Sequence, residues 1–307
     1  MRNSLKLGKI AGIPVGLHWT VGFIALLLTV TLTSGILPSF APGFSFAIYL
    51  STAIAVGVLF LASIVAHEFG HALVAQRHGV GVNGITLFAL GGVAQLESEA
   101  PDAGAAGKIA LAGPLVSVII GAATIGASFL FGLLGLPSVV VAGLFWLGIV
   151  NVALAVFNMI PALPLDGGRV LQAWLWKRDG HRDEATVKAF DIGRWFAFAL
   201  IGFGVWSILT GGTGFMTALI GWFVLAQGKA EAFRAKQRIR LERWSQQRPW
   251  FMGPIAGSPF AGSPRATHPS GHHPFGTHPF TPTPMPPPPA PAHVTVIDTE
   301  ARRTDQP

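Results

Sequence analysis

Three long stretches without a single charged residue dominate this sequence. Residues 10–66, 109–165 and 195–226 contain no Asp, Glu, Lys or Arg. A helix needs roughly 20 apolar residues to cross a bilayer, and the first two stretches are each long enough for two crossings. Only 11% of the residues are charged, whereas soluble domains have about 25%. The chain is therefore predicted to be a multispanning membrane protein.

Helix-breaking segments near the middle of each stretch divide the chain into six predicted transmembrane helices. The breaks are the segments "LPSFAPG", "GLPS" and "TGGTG". The predicted helices cover residues 18–37, 44–78, 103–134, 139–160, 191–209 and 215–229. We therefore predict an all-α membrane protein whose membrane domain spans residues 1–228.

The distribution of positive charge predicts how the helices are oriented. Lys and Arg precede the first helix, follow the second, and recur at residues 177–194 and 229–248, whereas the loops at the three breaks carry no charge. Because positively charged loops stay in the cytoplasm, both termini are predicted to be cytoplasmic in the cell membrane. The net charge of +7 is attributed to this topology and to attraction for anionic lipid. We expect no nucleic-acid binding, because no folded basic domain remains to carry it.

The C-terminal part of the chain has a different composition. Residues 229–248 form a predicted basic juxtamembrane helix that is expected to rest on lipid headgroups. Residues 249–307 are rich in Pro, Gly and His and show no helical or strand period. Such a segment buries too little apolar surface to offset the entropy of ordering, so we predict a disordered tail. The chain contains no cysteine, which excludes disulfides and thiolate metal sites.

The segment "HEFGH" follows directly after the first uncharged stretch. On a helix, His67 and His71 lie on nearly the same face, so both imidazoles can bind one tetrahedral zinc ion. Glu68 projects from the adjacent face and can act as the general base that deprotonates a water molecule. The motif alone is only moderately specific, but an acid at membrane depth is costly and usually functional.

A catalytic zinc ion commonly takes three protein ligands, so a third ligand is expected elsewhere in the chain. Asp166 is the first acid after the second uncharged stretch, and the fourth predicted helix ends on the same side of the membrane as the second. Two prolines before the acid break that helix, and Gly167 and Gly168 after it allow a tight turn. Taken alone, "PLDGG" is also typical of an ordinary turn, and His18 at the start of the first helix is the main rival ligand.

The two motifs together resemble the site-2 protease family of intramembrane zinc metalloproteases. "HEFGH" matches the first motif of that family, and "NMIPALPLDGGR" at residues 158–169 matches the second. "LAGPLVS" at residues 111–117 looks like the family's Gly-Pro step, and "ITLFALGGVAQL" at residues 85–96 looks like its membrane-associated hairpin. The resemblance covers roughly residues 10–230 and adds a short β-hairpin to the predicted helical fold.

The resemblance implies a role for each matched residue. It makes His67, His71 and Asp166 the ligands of one Zn²⁺ ion per chain. Glu68 becomes the catalytic base. Asn158 is implied to hydrogen-bond the substrate backbone or the oxyanion, although an Asn in an apolar helix also serves as polar glue between helices.

The family cuts transmembrane helices of other proteins, and this implies two partners, a membrane-spanning protein substrate and the lipid bilayer. The implied process is regulated intramembrane proteolysis. The uncharged segment at residues 84–96 is rich in strand-forming residues. It either adds an unwound substrate as an extra strand or forms a simple interfacial loop. The PDZ or paired CBS domains of some family members are not expected after the sixth helix.

The alternative function is a non-enzymatic multispanning carrier or a substrate-binding scaffold. A carrier predicts polar or broken positions at mid-membrane in both halves of the fold, whereas the acids of this chain cluster near one side. An inactive scaffold predicts a damaged motif, whereas "HEFGH" is intact. We therefore favour the enzyme.

Overall fold

The computed structural model describes residues 4–88 and 91–246. Within these residues, the structure consists of long helices and one small sheet that packs against α3. In chain order the elements are β1 (Ser4–Ile10), β2 (Ile13–His18), α1 (Thr20–Thr31), α2 (Leu37–Phe40), α3 (Phe46–Arg77), β3 (Val82–Phe88), β4 (Gly91–Leu96), α4 (Ala103–Leu133), α5 (Ser138–Asn158), α6 (Asp166–Asp179), α7 (Arg182–Leu209) and α8 (Phe215–Gln246). A π-helical turn, Leu32–Ile36, joins α1 to α2.

Five helical segments of the described residues are long and apolar enough to cross a membrane. They are Thr20–Phe40, Phe46–Arg77, Ala103–Leu133, Ser138–Asn158 and Arg182–Leu209. Many of their large apolar side chains point outward, as a surface in contact with lipid requires, and Leu133 is 87% exposed. The protein is therefore a multi-pass membrane protein. The sixth predicted span does not meet the same criterion, because charged residues follow the apolar half of α8 from Lys229 onward.

The four strands form one sheet in the order β1-β2-β3-β4. The β1–β2 and β3–β4 pairs are antiparallel, and β2 pairs with β3 in parallel. The hairpin predicted from the family resemblance corresponds to β3 and β4, although residues 89–90 at its tip lie outside the described part. Buried side chains of β2 and β3 pack against Phe69 and Ala72 of α3, which attaches the sheet to the helix of the "HEFGH" motif.

The β1–β2 hairpin corrects the prediction that a single short hairpin accompanies the helices. Ala11 and Gly12 adopt φ angles of 49° and 81°, which closes a tight turn of the kind that joins antiparallel strands. Strand β2 buries Ile13 and Val15 and exposes the residue between them. This alternation lies inside the first uncharged stretch, where apolar composition alone favours a membrane helix. His18 consequently ends a strand and does not begin the first helix.

The segment between α5 and α6 corrects the prediction of a turn after Asp166. The two prolines end the fourth predicted helix as expected, but Gly167 and Gly168 lie in the first turn of α6. At Gly167, a Cβ atom would lie 2.2 Å from the carbonyl oxygen of Met159. At Gly168, it would lie 2.4 Å from the backbone nitrogen of Leu163. The two glycines are therefore needed because α6 closely approaches the preceding backbone. Neither of them adopts a positive φ angle.

Helices α7 and α8 pack closely as an antiparallel pair. Gly204 of α7 lies against Ala218 of α8, and Gly221 of α8 lies against Ala197 of α7. Without side chains, these glycines let the two backbones approach each other closely, as small residues do at helix contacts in membranes.

Both helices extend further than the charge pattern predicts. Helix α7 begins at Arg182 and not at residue 191. Helix α8 continues unbroken through residue 229, so the described part of the predicted juxtamembrane helix is the second half of α8. The predicted disordered tail at residues 249–307 lies outside the described residues.

Candidate metal centre

Two histidines project from the second half of α3. His67 and His71 are one helical turn apart, and their Nε2 atoms are separated by 3.2 Å. His67 is only 4% exposed, which is costly for a polar side chain without partners. Gly70 lies between them, and a Cβ atom there would be 2.9 Å from the carbonyl oxygen of Ala112. The glycine therefore lets α4 approach the face of α3 that carries both imidazoles.

Asp166 reaches the histidines from the N-terminus of α6. Its Oδ2 atom lies 3.2 Å from Nε2 of His67 and 3.4 Å from Nε2 of His71. The first turn of a helix favours a carboxylate because the helix dipole is positive there. Among the described residues, these three side chains form the group of His and acidic residues whose ligand atoms lie close enough together to hold one metal ion.

The donors and acceptors of this group call for a cation. His71 Nδ1 lies 2.6 Å from the carbonyl oxygen of Ile109. A carbonyl oxygen can only accept, so Nδ1 carries a proton, and Nε2 of the neutral ring presents a lone pair. That lone pair faces a carboxylate oxygen of Asp166 and the Nε2 atom of His67. A cation bound at this point would offset the repulsion between these electron-rich atoms.

The spacing of the three ligand atoms fits zinc. Tetrahedral zinc with bonds of about 2.0–2.1 Å separates its ligand atoms by about 3.3 Å. The three separations in this site are 3.2, 3.2 and 3.4 Å. Gly113 of α4 leaves the necessary space, because a Cβ atom there would lie 2.2 Å from His71 Nε2 and 2.6 Å from His67 Nε2. The positions of His67, His71 and Asp166 therefore fit a tetrahedral zinc ion.

Glu68 lies beside the edge strand of the sheet. A Cβ atom at Gly92 of β4 would be 2.3 Å from Cγ of Glu68. A glycine is therefore required at the point where the Glu68 side chain packs against the strand. The backbone N–H of Ala94 donates a hydrogen bond to the Glu68 carboxylate. The acid is half-buried and lies within electrostatic range of the three candidate ligands.

The remaining candidates from the sequence lie at different places. Asn158 is half-buried at the last residue of α5. His18 lies outside the metal-binding group, with its Nδ1 atom 2.9 Å from the hydroxyl of Thr20 and its ring 5.2 Å from that of Phe88.

Comparison with known proteins agrees with this geometry. The family model described as "Peptidase family M50" matches residues 55–142 and 136–202 of this chain. The solved structure of a site-2 protease from Methanocaldococcus jannaschii is 32% identical in sequence, with a TM-score of 0.50. That match covers 75% of this chain and 95% of the archaeal chain. The chain belongs to peptidase family M50.

Two curated relatives extend the comparison of this M50 chain. Rip3 of Mycobacterium tuberculosis, named as a candidate zinc metalloprotease, is 40% identical over 238 residues, which are 76% of this chain and 60% of Rip3. The protein sll0528 of Synechocystis, named in the same way, is 36% identical over 254 residues, which are 80% of this chain and 64% of the relative. The M50 chain thus spans less than two thirds of the length of these relatives. The family resemblance seen in the paired motifs is confirmed.

Sequence reasoning missed the part of the M50 site that α4 contributes. The segment "LAGPLVS" is recognised by its Gly-Pro step, but the functions of its glycine and serine are not visible from the motif. Gly113 provides space beside the imidazoles, and Ser117 Oγ lies 2.9 Å from Nδ1 of His67. The available signal is the spacing of Ile109, Gly113 and Ser117, which lie four residues apart on one face of a helix.

Proposed function

We propose that this chain is an intramembrane zinc metalloprotease that hydrolyses peptide bonds in transmembrane segments of membrane-tethered proteins. The observation that carries the proposal is the convergence of His67, His71 and Asp166, with Glu68 next to the first histidine on the same helix. Peptide hydrolysis needs a base, a positive charge at the carbonyl oxygen and water. Glu68 can supply the base, and the other three residues can hold the metal ion that carries the positive charge.

Each residue has a separate proposed role. His67, His71 and Asp166 would hold one Zn²⁺ ion, and a zinc ion bound there would supply a Lewis acid for the attacking water and the scissile carbonyl. Glu68 accepts the proton of the attacking water and passes it to the leaving amine. Asn158 hydrogen-bonds the substrate backbone or the developing oxyanion. Its position at the end of an apolar helix, eight residues before Asp166, supports this role.

The edge of the sheet is the proposed binding place for the unwound substrate. Among the strands of the described residues, ordered β1-β2-β3-β4, strand β4 has a strand neighbour on one side only. Glu68 lies against β4, where it contacts Gly92 and accepts the N–H of Ala94. A substrate strand added to this edge by backbone hydrogen bonds would pass beside the general base. The contact between Glu68 and β4 favours the added strand over the simple interfacial loop.

We also propose that the apolar half of α8 crosses the membrane as the sixth span. Helix α8 is antiparallel to α7, and its Gly221 and Ala218 lie against Ala197 and Gly204 of α7, within the apolar part of that span. A helix packed along a spanning helix in the opposite direction must return to the first side. Six crossings place both termini on one side, and the positive charge there favours the cytoplasmic face of the cell membrane.

The test is cleavage by the purified protein in lipid vesicles. A substrate with one transmembrane helix is incubated with the native protein and with Glu68→Gln, and fragments and bound zinc are measured for both. We expect the native protein to cut within or near the helix. Glu68→Gln should keep zinc and lose about a hundredfold or more of the rate, because an amide cannot accept the proton.

Two outcomes would contradict the proposal in different ways. Equal cleavage by the native protein and Glu68→Gln would remove the general base from the mechanism. Zinc binding without cleavage of any transmembrane substrate, together with passage of a solute across the vesicle, would favour the carrier.

A further inference from the structure

One face of α4 contacts both imidazoles of the candidate metal centre. Ile109, Gly113 and Ser117 follow each other at four-residue spacing, so they form a single row along the helix. The carbonyl oxygen of Ile109 contacts His71, the hydroxyl of Ser117 contacts His67, and Gly113 leaves space between them. Helix α4 therefore determines how the two rings of α3 are oriented.

The two histidines are held by different kinds of acceptor. His71 Nδ1 donates to a backbone carbonyl, which no substitution of a side chain removes. His67 Nδ1 lies 2.9 Å from the hydroxyl oxygen of Ser117. A hydroxyl can donate or accept, and it accepts when Nδ1 carries the proton. An Nε2 atom that binds a cation requires this tautomer, so the Ser117 oxygen is the acceptor for the metal-binding form of His67.

The hydroxyl of Ser117 differs from other serine hydroxyls of the long helices. Ser63 and Ser128 each donate to the carbonyl oxygen three residues earlier in their own helix, at 2.7 Å in both cases. Ser117 is 0% exposed and its hydroxyl contacts a side chain of another helix. Burial of a polar group is costly unless it is satisfied, and this one is satisfied by the ring of His67.

We propose that Ser117 is a positioning residue that fixes the tautomer and ring orientation of His67, so that Nε2 is presented to the metal ion. The inference rests on the proposed function, because it requires that His67 is a zinc ligand. Partners of this kind behind a metal ligand contribute roughly 10–100-fold to metal affinity. Ser117 contacts His67 at Nδ1 and not at the candidate metal-binding atom Nε2, so it acts through His67.

The experiment compares Ser117→Ala with Ser128→Ala in the full chain in detergent or vesicles. Both variants remove one buried hydroxyl from α4, and only the first removes a contact to a histidine. Zinc affinity is measured by competition with a chelator, and Co²⁺ substituted for zinc reports the ligand geometry by its visible absorption. The melting temperature of the metal-free protein reports folding.

We expect Ser117→Ala to weaken zinc binding roughly 10–100-fold, because it removes the hydrogen-bond partner behind a metal ligand. The Co²⁺ spectrum should change as well. Ser128→Ala should leave both unchanged. Ser117→Thr, which keeps a hydroxyl, should retain most of the affinity and the native spectrum. An equal loss in the Thr and Ala variants, or native affinity in Ser117→Ala, would overturn the inference. Native protein that binds no zinc would instead refute the proposed function, and the inference with it.

Discussion

Two polar regions of this molecule each contain a short contact to a largely buried carboxylate, and they differ in the exposure of its partner. In the metal centre, His67 and Asp166 approach to 3.2 Å with side chains only 6% and 14% exposed. At the polar ends of α7 and α8, Asp183 and Arg238 approach to 2.6 Å, and the aspartate side chain is 16% exposed whereas the arginine side chain is 46% exposed. Exposed ion pairs contribute little because water and salt screen them, whereas a buried group that lacks its partner is costly. The burial of both partners therefore distinguishes the candidate metal centre from the ion pair between α7 and α8.

The exposed region is a network of ordinary charge pairs, here named the α7–α8 charge cluster. It contains Asp179, Asp183, Glu184, Lys188, Arg238 and Arg243, joined with the neighbouring Arg178. Hydrogen bonds from Arg178 and then Lys188 hold the pKa of Asp179 below its usual range. A carboxyl with a lowered folded-state pKa stabilises above its unfolded pKa and loses that contribution only as the pH falls through the folded value. The contribution of the Asp179 ion pairs is therefore insensitive to pH near neutrality.

The largest expected effect is the loss of Asp166. Asp166→Ala leaves two histidine ligands, which is too few for catalytic zinc, so bound zinc and cleavage should both fall to background. His18→Ala is the matched control, because His18 contacts Thr20 and lies outside the metal-binding group. Zinc is measured by elemental analysis of the purified variants. The reverse pattern, with zinc kept without Asp166 and lost without His18, would move the site towards the first helix.

The next effect is steric and comes from α4. Gly113→Ala places a Cβ atom 2.2 Å from His71 Nε2, so the imidazoles must move and zinc affinity should fall strongly. Gly126→Ala is the matched control on the same helix, since nothing lies within 4 Å of its Cβ position. The control should keep native affinity and gain up to about 1 kcal/mol of stability from the better helix former. Native zinc affinity in Gly113→Ala would show that the ligand atoms do not meet beside α4.

A much smaller effect is expected in the α7–α8 charge cluster. Asp183→Ala removes an ion pair with a half-exposed arginine, so the free energy of unfolding should fall by about 0.2–1 kcal/mol. Zinc content and cleavage should stay native. Thermal unfolding at low and high salt provides the check, because the difference from the native protein should shrink in about 1 M salt. A large loss of activity would erase the contrast between the two regions.

The smallest effect is expected from removing the C-terminal tail. Truncation after Trp244 should leave zinc content and core peptidase activity unchanged, because the three candidate ligands lie on α3 and α6. Zinc analysis and the vesicle assay provide the check. Loss of zinc from the truncated protein would mean that histidines of the tail contribute ligands.

Local periodicity explains which parts of the site can be predicted from the sequence. His67 and His71 are four residues apart on one helix, so their shared face follows from helix geometry. Asp166 is distant in sequence, and its approach depends on α6, which the charge pattern does not predict as a helix. The predicted topology placed Asp166 on the same side of the membrane as the histidines, and the pairing of the two motifs indicated that they meet. The structure brings the three together, and their roles as ligands stay predictions.

The features that could not be predicted from the sequence depend on contacts between helices and strands. Nothing local to Ser117 indicates that its hydroxyl meets His67, because that contact depends on how α4 crosses α3. Likewise, β2 is hidden in an uncharged stretch, and its strand character emerges only from pairing with β1 and β3. Helix α7 starts early at Arg182 because charged residues extend the helix past its apolar part, and Asp183 then pairs with Arg238 of α8.

X-ray absorption at the zinc edge of the purified native protein would show whether His67, His71 and Asp166 hold one zinc ion. We expect one zinc per chain, with two imidazole ligands and the remaining ligands oxygen, all at about 2.0–2.2 Å. Three or more imidazoles would bring in His18 or the tail histidines, and a shell of oxygen alone would exclude the two histidines of α3. Either result would be incompatible with the proposed ligand set.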